Sequence, residues 1–246
     1  MMSPLPLDMP DDYPWLPSSA RYPLADLGEL AARLGSPVTY DRRGEVVWMD
    51  DMSHGLGVYR ASVYGAGAVV RVTTDIGLIS GYALELVGGS DAERTAQLVR
   101  SFSRAKLGKT GLEIGFCMIS LNEKFWTNLS RFDGSNQHVG GLRVYAETGQ
   151  MTILKDDGTE QTIATLGHLD NSASIYHVFK LVCDFDSDCY VRLLFNDHVY
   201  DLSAYGLRIA AATDIPQHRM ALAQISRAGY NDRASVGYVI LTGNEP

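Results

Sequence analysis

The sequence predicts an all-β fold, a two-sheet antiparallel jelly-roll sandwich with one short N-terminal helix. Three observations lead to it. From Glu45 onward apolar and polar residues alternate with a period of two, the period of a strand with one buried face. Turn residues recur about every ten positions, the spacing of short strands joined by tight connections. No helical stretch separates the runs, so a parallel βαβ topology would lack its crossovers.

In chain order, residues 1–43 form a Pro-rich arm and a short helix, and residues 44–246 form the sandwich. Six of the nine prolines lie within residues 1–23, where they remove backbone donors and force extended or turn geometry. Tyr13, Trp15 and Leu16 are the arm's candidates for tucking into a groove. In "ADLGELAARLGS", Leu27, Leu30, Ala31 and Leu34 share a helical face, Asp26 is placed to cap and Gly35 to stop.

Fourteen runs then read as strands: "EVVWM", "GVYRASVY", "AVVRVTT", "GYALELV", "AQLVRSFS", "GLEIGFCMISL", "GGLRVYAE", "GQMTILK", "EQTIATL", "YHVFKLVCD", "CYVRLLFN", "HVYDLS", "RMALAQISR" and "SVGYVILTG". "ETGQ" and "KDDGTE" supply Gly-containing hairpin turns. "SDAERTAQ", residues 90–97, has room for one helical turn. Residues 122–141 form the longest polar connection, and connections of that length often carry function.

The chain of 246 residues is 46% hydrophobic and 20% charged, an ordinary globular composition. Its formal net charge of −8 argues against nucleic acid and anionic membrane as partners, since both need clustered Lys and Arg. No apolar run approaches the roughly 20 residues that span a bilayer. The N-terminus shows no basic region followed by an apolar one, and three cysteines do not make a disulfide framework, so a cytoplasmic location is expected. Phosphate loops and dinucleotide fingerprints are absent, and the six histidines have no metal-ligand spacing. Neither a cofactor nor a metal is expected.

Three stretches carry a resemblance: "GEVVWMDDMSHGLGVYR" at the entry, "GLEIGFCMISL" as a long central strand, and "YHVFKLVCDFDSDCYVRLLFNDHVYDLS" followed by "SVGYVILTG". In pattern, residues 44–244 resemble the concanavalin A-like lectin and glucanase superfamily, which includes laminin G-like jelly rolls. The resemblance implies the sandwich, with an Asn-centred turn matched by Asn196 and Asp197. Its glucanase branch sets paired carboxylates on one central strand, as glycoside hydrolysis requires. Here Glu113 is followed by Gly115 and Cys117 at the alternate positions, so that machinery is missing from its usual place.

The hairpin "FKLVCDFDSDCYVRLLFND" holds Asp184, Asp186 and Asp188 between Cys183 and Cys189. Alternation turns Phe179, Leu181 and Cys183 inward on one strand, and Cys189, Val191, Leu193 and Phe195 inward on the other. A loop of residues 184–188 would set the cysteines directly opposite each other. The readings are two small buried thiols or, in an oxidising compartment, a disulfide. The aspartates read as a solvated turn, because a calcium loop would add a Gly and a distal carboxylate.

On the opposite face, Tyr176, Lys180, Tyr190 and Arg192 point away from the core, as do Arg143, Tyr145 and Glu147 on a neighbouring run. If these strands share one sheet, aromatic rings and hydrogen-bonding groups mix there as sugars require. The bland reading is cross-strand decoration of a solvated face. Trp126 and His138, from residues 122–141, complete the candidate ligand-binding set.

The expected function is that of a non-catalytic binding module with a glycan as partner. The alternatives are an assembly protein forming homo-oligomers through its arm, and a polysaccharide-active enzyme using Glu113, Glu147 or His138.

Overall fold

Alternation becomes strand throughout the region that a computed structural model describes: residues 41, 43–74, 77–78, 80–91, 94–102, 107–121, 123–167, 169, 171–173 and 175–246. These belong almost wholly to the second of the two units into which the chain divides, Arg43–Pro246. The proline-rich arm and the short helix lie outside the described residues.

Among the described residues every helix or strand is a strand. They run β1 (Glu45–Asp50), β2 (Arg60–Tyr64), β3 (Val69–Thr73), β4 (Ala83–Val87), β5 (Thr95–Phe102), β6 (Lys109–Met118), β7 (Lys124–Phe132) and β8 (Asn136–Tyr145). They continue as β9 (Gln150–Leu154), β10 (Glu160–Thr165), β11 (His177–Asp184), β12 (Cys189–Phe195), β13 (His198–Asp201), β14 (Arg208–Ala211), β15 (Gln217–Ile225) and β16 (Arg233–Gly243).

Two eight-stranded sheets result. The first has the order β13-β12-β11-β6-β16-β4-β3, with β1 also on β16. The second has the order β10-β9-β8-β7-β15-β5-β2, with β14 also on β8. Every named pairing is antiparallel. Neighbours distant in sequence, such as β6 beside β16 and β7 beside β15, give the crossed connections of a jelly roll.

Each sheet buries one face against the other because that removes the apolar half of every alternating strand from water. Phe116 of β6 stacks on Phe125 of β7 with ring centroids 4.8 Å apart, joining the sheets. Leu112, Ile114, Leu181, Leu193, Leu142 and Leu222 belong to the same buried cluster. Burying a side chain of this size contributes about 1.5–3 kcal/mol.

Two strands were not expected. Residues 122–141 are not one long connection: they hold β7 and most of β8, joined by a three-residue turn in which the Asp133 carboxylate accepts the Ser135 and Asn136 amides. The polar side chains of "KFWTNLSRF" are the outward half of a half-buried strand whose inward half is Phe125, Thr127 and Leu129. The other addition is β14, which pairs with the start of β8. Residues 95–97, expected to allow a helical turn, are the start of β5.

The hairpin β11–β12 corrects a parity argument. Val182 pairs with Arg192, but Cys183 pairs with Tyr190, so Val191 is an extra residue on β12. A bulge of this kind flips every side chain beyond it. Tyr190 therefore points into the core and is fully buried, not outward as alternation predicts. Cys189 falls opposite Asp184 and is only half-buried. Cys183 and Cys189 are not facing partners, and all three cysteines are free thiols. The Asn196 turn has the expected character: Asn196 takes φ 51°, and its side-chain oxygen accepts the Val178 amide at 3.0 Å.

Candidate functional site

On the second sheet the residues facing away from the core build a row-by-row surface. Registers align Ser62, Gln97, Ala223, Trp126, Arg143 and Thr152 across β2, β5, β15, β7, β8 and β9. The next row aligns Arg60, Val99, Ala221, Asn128 and Gly141. Small residues at Ala221 and Ala223 keep the middle low. A groove of about 700 Å³ lies along this face, lined by Arg60, Ser62, Gln97, Trp126, Asn128 and Arg219 among others.

Trp126 is half-buried, and the Arg143 guanidinium sits 5.2 Å from its ring centre. The Arg143 side chain folds back over Gly141, where a Cβ would stand 2.8 Å from Nη1. Its Nη1 donates to Thr127 O at 3.0 Å, Leu142 O at 3.0 Å and Asn128 Oδ1 at 2.9 Å. Burial holds the Arg143 guanidinium below its ordinary value.

Beyond Arg143, toward the β10 edge, Glu160 gathers three donors: Tyr145 Oη at 2.5 Å, Thr152 Oγ1 at 2.7 Å and Lys124 Nζ at 3.1 Å. Burial pushes the Glu160 carboxyl up, but these hydrogen bonds outweigh it and hold the group below its ordinary value. Burial likewise pulls Lys124 down, and Glu160 with Tyr145 outweighs it and holds the ammonium above its ordinary value. At the other side, Arg219 pairs with Asp214 at 2.5 Å and covers the Phe132 ring.

The structure thus brings Trp126, Arg143 and Tyr145 together. It places the other named residues elsewhere. Glu147 is exposed in the turn after β8. His138 points to the opposite side of β8, where Nδ1 lies 2.6 Å from Asp188 and Nε2 lies 3.1 Å from Asp133. Tyr176, Lys180 and Arg192 sit on or beside β11 and β12, which belong to the first sheet, so the shared face with β8 expected from sequence does not form. Lys180 and Arg192 do face outward, yet both are buried and share the Glu245 carboxylate, Lys180 at 2.8 Å. Tyr190 spans the core to the second sheet.

The three aspartates serve different ends. Asp184 caps its own turn by accepting the Asp186 amide at 3.0 Å, Asp186 pairs with Arg131 at 2.8 Å, and Asp188 holds His138. Among the described residues no cluster of three His, Cys, Asp or Glu stands ready for a metal ion. Glu113 accepts a hydrogen bond from Tyr238 Oη at 3.1 Å, buried on the first sheet.

Sequence reasoning passed over Arg60, Ser62, Gln97, Lys124, Thr152 and Glu160. Their alternation was visible in "RASVY", "TAQLVRSF" and "EQTIAT", but only strand order shows that these faces adjoin those of β7 and β8. Among the described residues no helix is long and apolar enough to cross a membrane.

No protein-family model and no curated protein matches the chain by sequence. Solved structures do match in shape. The conserved carbohydrate esterase from the Shiga toxin-encoding bacteriophage phi24B is 13% identical with a TM-score of 0.53, over 82% of this chain and 100% of that one. A sialidase is 11% identical with a TM-score of 0.52, over 82% of this chain but only 19% of the sialidase chain. A protein of unknown function from Shewanella oneidensis MR-1 is 13% identical with a TM-score of 0.50, over 74% of this chain and 78% of that one. Two eight-stranded antiparallel sheets packed face to face, together with these likenesses in shape, show a jelly-roll sandwich fold.

Proposed function

We propose that the outer face of the second sheet binds carbohydrate and that the protein is a non-catalytic binding module. The observation that carries this reading is the setting of Trp126. Its half-buried ring lies between Ala223 and Arg143 beside a groove edged by Gln97, Asn128 and Ser62. Sugars are held by that combination, because a flat ring covers C–H faces while amide, hydroxyl and guanidinium groups take the hydroxyls. The similar folds of a sialidase and a bacteriophage carbohydrate esterase are consistent with it.

The carboxylates of this face favour binding over hydrolysis. Glycoside hydrolysis takes two carboxyl groups roughly 5–10 Å apart around one bond. Glu160 and Asp214 are each tied to a cation, and the strands that carry Glu160 and Arg219 lie four positions apart, roughly 19 Å at the usual strand spacing.

The test is a broad glycan array at micromolar protein, followed by titration of the hits. Trp126→Ala and Tyr145→Ala are each expected to weaken binding by about tenfold, equivalent to about 1.4 kcal/mol. An array without hits, or hits that survive both substitutions unchanged, would remove the proposal.

A further inference from the structure

Arg143 is only 9% exposed, yet its three hydrogen bonds all leave from Nη1 and all end on uncharged oxygens. The outward-facing cations of the first sheet behave differently: Lys180 and Arg192 are buried against the Glu245 carboxylate. Buried charges are normally paired, since desolvation without a counter-charge is expensive. Among the described residues no carboxylate forms an ion pair with Arg143; the nearest cluster, around Glu160, pairs with Lys124 instead. Among the described residues Nε and Nη2 donate to no protein atom, and neither is sealed from solvent.

The rest of the face sharpens this. Lys124 is neutralised by Glu160 and Arg219 by Asp214. Arg60, at the far end of the row that runs through Val99, Ala221 and Asn128 to Gly141, makes no ion pair among the described residues. The Arg143 guanidinium lies over Gly141 at the other end of that row. Two arginines that form no ion pair among the described residues therefore stand on this face, Arg60 exposed in the groove and Arg143 buried beside it with the Glu160 charge acting only from a distance, in a chain whose net charge is −8.

We propose that this face selects saccharides bearing a carboxylate, a uronic-acid class of ligand, received by the free Nε and Nη2 edge of Arg143. This rests on the carbohydrate-binding reading above. A planar guanidinium edge presents two parallel N–H groups that match the two oxygens of a carboxylate, and such pairs are about twice as strong as neutral hydrogen bonds. The Trp126 ring beside it offers the apolar platform for the sugar ring that carries the acid.

The experiment titrates the intact protein with three probes: oligomers of a polyuronic acid, the same oligomers as methyl esters, and a sulfated neutral glycan. The acid is expected to bind at least tenfold more tightly than its ester. Arg143→Lys, which keeps the charge but not the paired geometry, is expected to remove most of that preference while melting close to the parent. Equal affinity for acid and ester overturns the selection and leaves carbohydrate binding standing, and so does preference for the sulfated glycan. Failure of every saccharide, here and on the array, removes both readings together. Because the acid-to-ester ratio is read on the unmodified chain, a variant that misfolds does not decide the outcome.

Discussion

The hydroxyl of Tyr190, carried by the first sheet, accepts the amide hydrogen of Gly141 in the second sheet at 2.8 Å and donates to Leu154 O at 2.6 Å. The need for it lies in the topology. Strand β8 pairs along its outer edge with β14 over residues 136–139 and with β9 over residues 142–145, which leaves Gly140 and Gly141 between partners. Tyr190 fills that gap from the core side. Tyr190→Phe would leave a buried donor and a buried acceptor unsatisfied, which costs about 1–3 kcal/mol. Urea unfolding should show a lower midpoint at an unchanged slope.

Gly140 is placed so that a Cβ would collide with Cys183 Sγ. Gly140→Ala is therefore expected to destabilise the sandwich by about 1–3 kcal/mol through overpacking. Combining it with Cys183→Ala should recover part of that loss, because the methyl would occupy the space the sulfur leaves. A double-mutant cycle by thermal unfolding measures the coupling, and strictly additive effects would contradict the contact.

Glu245 holds Lys180 and Arg192 and accepts Thr242 Oγ1 at 2.6 Å, with Lys180 and Glu245 side chains fully buried. Glu245→Gln keeps the shape and removes the charge. Two buried cations would then lose the carboxylate they share, with an expected loss of about 3–5 kcal/mol, read as a fall in melting temperature.

His218 sits opposite Arg131 across β15 and β7, and Asp186 faces it from the β11–β12 turn. Burial first, and then the Arg131 guanidinium, pushes the imidazole from 6.5 down to about 4. The unfolded chain holds a proton in that window which the folded chain refuses. Stability contributed by this group is therefore intact above pH 6.5 and is lost as pH falls toward about 4, by up to about 1.4 kcal/mol per pH unit. Denaturation midpoints measured from pH 7 to pH 4 should fall more steeply for the parent than for His218→Gln, and identical slopes would contradict the assignment.

Gly141→Ala tests the site without replacing a ligand-facing side chain. The new Cβ would stand 2.6 Å from Asn128 Oδ1 and 2.8 Å from Arg143 Nη1, so the guanidinium must move. The acid-to-ester affinity ratio is expected to fall at least fivefold, with the melting temperature lowered only modestly.

The sequence by itself determined the fold class, because alternation is local: residues i and i+2 face the same way whatever the strand meets. It placed all fourteen of its runs on strands, with "GGLRVYAE" covering only the latter part of β8, and it put the turn at Asn196. It also singled out Trp126, Arg143 and Tyr145. It hid β7, whose polar half read as a loop, since a half-buried strand between Phe125 and Leu129 differs from a polar connection only through its partners. The bulge at Val191 was invisible for a related reason: one extra residue is defined against the opposing strand, and it turned Tyr190 from a surface group into a core one. Only the tertiary structure decided which faces adjoin. Lys180 and Arg192 joined Glu245 on the first sheet, while Gln97, Asn128 and Arg60 joined Trp126 on the second, because strand order depends on pairings between residues far apart in the chain, and no local pattern encodes those.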